Sequence, residues 1–255
     1  AQIFDGSKNG FLNKILLKEK AVQLNEVVVR PDTWSREKKL GIFRTEFLGR
    51  TPAGLNCKIL NERDIRLYYN KDVHKLYAYA AQPIIIKNDF LGYRLTYNLV
   101  DFEVSFEKTL SGLILTSSAY LSGTVFFSEL NPKKLKKKHI KKREELYFGS
   151  TLHFMRALSK KRLAEEDFKI FKEKFQIEPY SEFGFSVEND LVKIIQKVEV
   201  LSILYSDNEQ SSILTDGHAF YIDDYGNHSP AKNVLFGGNM GRQRTGNMLP
   251  LDYKL

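Results

Sequence analysis

Five histidines, His74, His139, His153, His218 and His228, are the first places to look for chemistry in this 255-residue chain. A zinc site needs two or three imidazoles with a carboxylate at ligand spacing, as in His-Glu-x-x-His on one helix face, and no such spacing occurs. The nearest approach is His218, Asp223, Asp224 and His228, which straddle the turn sequence Asp223-Asp224-Tyr225-Gly226-Asn227. Ordinary hairpin chemistry accounts for that turn, and a metal would need His218 and His228 to converge from opposite strands. His153 lies one position around from a helical core stripe that includes Phe154. It is expected to be an interior histidine bonded to backbone or to a neighbouring carboxylate. A hydrolase would have to assemble its site from His153, His218, Asp223 and Asp224 across the fold.

Nucleophiles are scarcer still. There is no Gly-x-Ser-x-Gly elbow and no Ser-x-x-Lys set with partners. Cys57 is the single cysteine, which excludes an internal disulfide and a Cys-x-x-Cys metal site, and it is expected to be a small buried apolar residue. Gly237, Gly238, Gly241 and Gly246 with Arg242 and Arg244 invite comparison with a phosphate loop. Such a loop needs a following helix and a Lys-Ser/Thr end, whereas here the chain runs on to Pro250, so these glycines are expected to permit tight turns over a sheet. No catalytic residue, cofactor or metal is expected.

Charge is more informative. The chain carries a formal net charge of +8, and the excess is concentrated in one run: Lys133, Lys134, Lys136, Lys137, Lys138, Lys141, Lys142 and Arg143. Outside it both signs are mixed. The run is a candidate docking surface for an acidic partner or for anionic headgroups, or else the solvated start of a helix whose apolar side begins at Ile140. No aromatic interleaving, RNP-like sequence or zinc finger supports specific nucleic-acid binding.

The elements that must carry these residues are legible from spacing. At 42% hydrophobic residues the chain can fill a sizeable core; 18 Phe and 13 Tyr favour a β-rich protein. Leu40, Phe43 and Phe47 recur at helical steps, with Trp34 ahead and Gly49 as a C-terminal stop, so Asp32 to Gly49 reads as an amphipathic helix. From Ile59 to Glu129 the period becomes two. Strands are expected at Ile65 to Tyr69, Leu76 to Ala80, Ile84 to Lys87, Tyr93 to Phe106, Gly112 to Ser118 and Tyr120 to Glu129. Leu95, Tyr97 and Leu99 share one parity while Phe102, Val104 and Phe106 share the other, which predicts a β-bulge near Leu99-Val100. Ile140, Tyr147, Thr151, Phe154 and Leu158 form one helical stripe, with Gly149-Ser150 as a close-packed point or kink. Ala164, Phe168, Phe171 and Phe175 predict a second helix. Strands return over Val192 to Tyr205, Ile213 to Asp216 and Ala219 to Ile222. No apolar run approaches the roughly 20 residues of a bilayer-spanning helix.

The opening segment supplies a context. Ile15 to Leu17 and Val27 to Val29 read as two short strands, the second stopped by Pro31. The run Leu24-Asn25-Glu26-Val27-Val28-Val29 resembles the end of the carboxypeptidase-regulatory-like β-sandwich of Bacteroidota cell-envelope proteins. Phe43 to Gly49, Cys57 to Asn61, Leu91-Gly92-Tyr93, Tyr147 to Arg156 and Leu249 to Tyr253 look like the region that follows that sandwich in one group of these proteins, so the resemblance covers most of the chain. It implies a location and an architecture but no catalytic residues. The chain opens on Ala1 rather than Met, and a signal peptide and further sandwich strands are expected ahead of it.

The expectation is therefore an α+β protein: residues 1–31 as the tail of a β-sandwich, then residues 32–255 as one domain with a largely antiparallel sheet packed by about three helices. The function expected is that of a non-catalytic accessory or scaffold subunit on the periplasmic side of the outer membrane. Its partner would be a larger outer-membrane complex that includes a β-barrel and serves protein assembly, secretion or nutrient uptake. The competing readings are an envelope hydrolase and a peptide- or glycan-binding module that uses its tyrosines as stacking surfaces.

Overall fold

The computed structural model describes residues 32–254. The sandwich strands expected within residues 1–31 lie outside the described residues. What is described is an α+β fold in which every strand pairing is antiparallel, distributed over three sheets instead of one.

The first helix, α1 (Arg36–Leu48), begins where Ser35 accepts a hydrogen bond from the Lys38 backbone N–H and stops at Gly49, whose φ of 92° favours glycine. Its apolar stripe places Phe43 and Phe47 in full burial. A short helix, α2 (Pro52–Leu55), leads into the first sheet. That sheet contains β1 (Cys57–Ile59), β2 (Ile65–Asn70), β3 (Lys75–Ala80), β4 (Ile84–Asn88), β5 (Tyr93–Lys108) and β6 (Ile114–Glu129). Its order is β1-β4-β5-β3-β2, with β6 paired along the other side of β5. The two strands expected over Gly112 to Glu129 are one continuous strand of 16 residues. The bulge is present: the β5–β6 register shifts between Leu99 and Asp101, leaving Val100 75% exposed, and Tyr97 and Phe102 then share the buried face. There they meet α1, with ring centroids 5.0 Å apart for Phe47–Tyr97 and 4.8 Å for Phe43–Phe102.

Two of the edge strands of this sheet, β2 and β6, are finished differently. Along β2, Arg36 Nη1 donates to Ile65 O (3.0 Å), Lys39 Nζ donates to Leu67 O (3.2 Å), and Asp32 Oδ2 accepts from the Tyr69 N–H (3.1 Å). Side chains from α1 and the residues before it thus occupy backbone groups that a further strand would use. Along β6, no described strand or helix pairs with the outer side.

The helical block that follows departs from expectation twice. The stripe from Ile140 to Leu158 is split into α3 (Lys137–Tyr147) and α4 (Thr151–Ser159). Gly149 takes φ 69°, and Ser150 caps the new helix by accepting from the His153 N–H, so the glycine ends one helix instead of kinking a longer one. The second expected helix is absent. Phe168 and Phe175 lie instead in a hairpin, β7 (Phe168–Lys172) and β8 (Phe175–Ile177), turned at Glu173 with φ 56°. Phe168, Phe171 and Phe175 fit a helical period, but Phe168 and Ile170 also fit period two. Pairing of β7 with β11 (Val200–Tyr205) and burial of that alternate pair decide the outcome.

Two further sheets enclose the second core. One has the order β14-β13-β10-β9, from β9 (Phe183–Glu188), β10 (Leu191–Gln196), β13 (Phe220–Ile222) and β14 (His228–Ser229). The other has β15-β12-β11-β7-β8, with β12 (Glu209–Thr215) and β15 (Val234–Gly237). Phe154, Met155 and Leu158 of α4 are buried with Phe168, Ile194 and Phe220. After the short α5 (Gly238–Arg242), the glycine-rich tail returns to the first core. Asn88 Nδ2 donates to Gly246 O (2.9 Å), and Thr51 Oγ1 bonds Asn247 Oδ1 (2.7 Å). A side chain on Gly246 would collide with the backbone of Leu48 and Gly54. Here glycine serves close approach of two backbone segments.

Candidate functional site

Two places gather functional side chains, and the first is the basic run. Lys133, Lys134, Lys136, Lys137, Lys138 and Lys141 are all exposed, from the turn after β6 into α3, and among the described residues none of them has an ion-pair partner. Leu135 and Ile140 are exposed between them at 45% and 46%. Lys136 stands at the helix N-cap, where no side chain satisfies the free backbone N–H groups. Cations at the positive end of a helix repel its macrodipole, so this end of α3 is a region of concentrated positive potential.

Two members of the run face elsewhere. Lys142 pairs with Glu145 at 2.6 Å and lies 5.3 Å from the Phe90 ring centre. Arg143 is 5% exposed and belongs to the interior. Its Nε donates to Leu91 O (2.9 Å), Nη1 and Nη2 grip Glu129 at 2.8 and 2.7 Å, and its guanidinium stacks 3.6 Å from the Tyr93 ring centre. Counted from sequence as a docking residue, Arg143 instead fastens α3 to the β5–β6 hairpin. His139 packs against Gly92, and burial together with Lys138, Arg143 and Lys136 pushes its pKa down.

The second place is a cleft of about 340 Å³ where Tyr147, His153, Arg156, Glu166, Asp224 and Tyr253 meet. It unites two of the four residues the hydrolase reading requires, His153 and Asp224. Asp223 and His218 do not line it. Asp223 Oδ1 accepts from the Tyr225 and Asn227 N–H groups (2.9 Å each), the turn chemistry expected of it, and His218 is an exposed residue 3.6 Å from Asp216. His228 pairs across β13 and β14 with Ile222, its ring against Phe236, and burial pushes its pKa down.

His153 is bonded to backbone and carboxylate, as expected. Its Nδ1 accepts from the Gly149 N–H (3.2 Å), which places the ring proton on Nε2, 3.2 Å from Glu166 Oε2. Glu166 Oε1 in turn meets Arg162 at 3.0 Å. Burial pushes the His153 pKa down against the opposing pull of Glu166. A neutral imidazole with both nitrogens engaged has no lone pair to offer a substrate proton. Arg156 is equally occupied: Nε donates to Tyr225 O (2.8 Å), Nη1 to Tyr253 O (2.9 Å) and Nη2 to Leu251 O (2.7 Å). This geometry positions chain segments. Cys57 is inert for a related reason, since burial pushes its thiol up to about 12 and its Sγ–H donates to Ala53 O (3.3 Å).

Glu166 and Arg162 were not singled out from sequence; only the bond of Glu166 to His153 reveals the pair. Among the described residues no group of three or more His, Cys, Asp or Glu is placed to hold a metal, and no helix is long and apolar enough to cross a membrane. Comparison with family models, curated proteins and solved structures finds no match to this chain.

Proposed function

We infer that this chain is a non-catalytic docking subunit, presenting the lysines at the start of α3 to an acidic face of a larger assembly. The observation that carries this reading is the contrast within the run. Arg143 is spent on anchoring α3, while six neighbouring lysines point outward without partners. A cluster of cations without ion-pair partners at the positive end of a helix steers and orients an anionic partner. The engaged nitrogens of His153, and an Arg156 guanidinium whose three nitrogens each donate to a main-chain carbonyl, weigh against a hydrolase in the cleft. Placement on the periplasmic side of the outer membrane, beside a β-barrel complex, rests on the sequence resemblance alone.

The test is affinity purification of the full-length protein from its native envelope in mild detergent, with and without reversal of Lys136, Lys137 and Lys138 to Glu. Stoichiometric co-purification with an outer-membrane complex, weakened at least tenfold by the reversal and by raised salt while the melting temperature holds, is the expected result. Loss of binding to anionic vesicles alone would assign the surface to headgroups. Association unchanged by the reversal would remove the lysines from the interface.

A further inference from the structure

We propose that the outer edge of β6 is a self-association site, at which two copies of this chain pair β6 against β6 antiparallel around a two-fold axis. From Thr109 to Ser128 the sequence TLSGLILTSSAYLSGTVFFS contains no charged residue, no histidine and no proline. Natural edge strands are guarded against pairing by lysines, prolines, short length or a covering element. Among the described residues strand β6 has none of these over its 16 residues, its one irregularity being the register shift at Ser117, whereas the β2 edge is covered by Arg36, Lys39 and Asp32.

The outward backbone groups can be assigned. The Leu130 N–H bonds Gly92 O, and the Phe106 N–H bonds His74 O on the other side of β5. Alternation along the antiparallel ladder then turns the N–H and C=O groups of Ala119, Leu121, Gly123, Val125 and Phe127 away from β5. Ala119, Leu121, Val125 and Phe127 touch the first core but are only partly buried, so the hydrophobic layer under β6 is left open on its outer side. An added strand would close it.

Charge selects a second copy in antiparallel orientation. The lysine run follows the C-terminal end of β6 immediately. A parallel pairing would bring two such runs together, while an antiparallel one sets them at opposite ends of a strand roughly 54 Å long. That separation is far beyond the Debye length of about 8 Å at physiological salt. Antiparallel pairing also lays the exposed tip of each hairpin, where Leu113, Ile114 and Leu115 are 62%, 43% and 56% exposed, beside the half-covered Val125 and Phe127 of the other. A strip of this length and about 10 Å in height removes on the order of 1,000 Å² in total, the lower bound for a specific interface.

The test is sedimentation equilibrium of the full chain from about 1 to 200 μM, with hydrogen exchange read at the β6 amides. Ala119→Pro deletes one outward donor while sparing the bonds to β5. A second variant, Thr116→Lys with Thr124→Lys, adds charge to the edge without proline. The expected result is a monomer–dimer equilibrium weakened at least tenfold by either variant at unchanged melting temperature. Protection at Ala119, Leu121, Val125 and Phe127 should rise with concentration. A monomer throughout, or a dimer indifferent to both variants, overturns the proposal. Concentration-independent protection of these amides overturns it as well, by assigning the edge to a segment of the same chain.

Discussion

Buried at 2% exposure, His153 is held neutral by the cost of placing a charge among Tyr147, Phe168 and Tyr205, whose rings lie 4.8 to 5.5 Å from it. The unfolded chain takes up this proton near the ordinary 6.5, the folded one only below it. The stabilising difference is therefore complete above about pH 6.5 and is lost as pH falls from there towards the lowered folded value. His139 and His228 are displaced in the same direction and add to the trend. The thermal midpoint should fall between about pH 7.5 and pH 5.5, and His153→Gln should make that slope shallower whatever it does to the midpoint itself. An unaltered slope, measured by calorimetry across the series, would show that His153 takes no part.

Among the elements, α3 is hydrogen-bonded to the β5–β6 hairpin through Arg143, beside the packing of His139 against Gly92 and the burial of Tyr147 in the first core. Arg143→Ala leaves Glu129 without its two guanidinium bonds and Leu91 O without a donor. Breaking a fully buried pair costs about 3–5 kcal/mol, and because the Glu129 side chain stays 32% exposed we expect about 2–3 kcal/mol in urea unfolding. Lysine at this position should recover little, having no planar fork to match the carboxylate. How legible such features are depends on the range of the interactions behind them. The end of α1 at Gly49 and the bulge at Val100 follow from local spacing and were expected. The role of Arg143 was not, since a basic residue inside a basic run looks like its neighbours until Glu129 is seen across from it. The hairpin at Phe168 was misassigned because its aromatic spacing satisfies both periods, and only its partner strand β11 distinguishes them. The cleft was half legible: His153 announces itself by type, whereas Arg156 is bound by three carbonyl oxygens, groups that every residue possesses.

Across the whole molecule, the two cores are tied by the tail. Arg156 of α4 clamps Leu251 and Tyr253, and Asn88 and Thr51 hold Gly246 and Asn247 against the first sheet and α2. Arg156→Ala should lower stability by about 2–3 kcal/mol, allowing for its partial exposure, and should make residues 243–254 the first site of limited proteolysis while the remaining strands stay protected. Resistance of that segment in the variant would mean that Asn88 and Thr51 suffice to hold it. The same stitch governs when the protein can finish folding. Asn88 waits for a partner 158 residues downstream and Thr51 for one 196 residues downstream. At a synthesis rate of about 5–20 residues per second, the first of these gaps takes on the order of 10–30 s to translate. Over that interval the nascent first layer has α1 and its sheet available but not the strand of backbone that seals Leu48 and Gly54. Completion of this layer waits for that segment, and a holding chaperone would find its binding surface where Gly246 later lies.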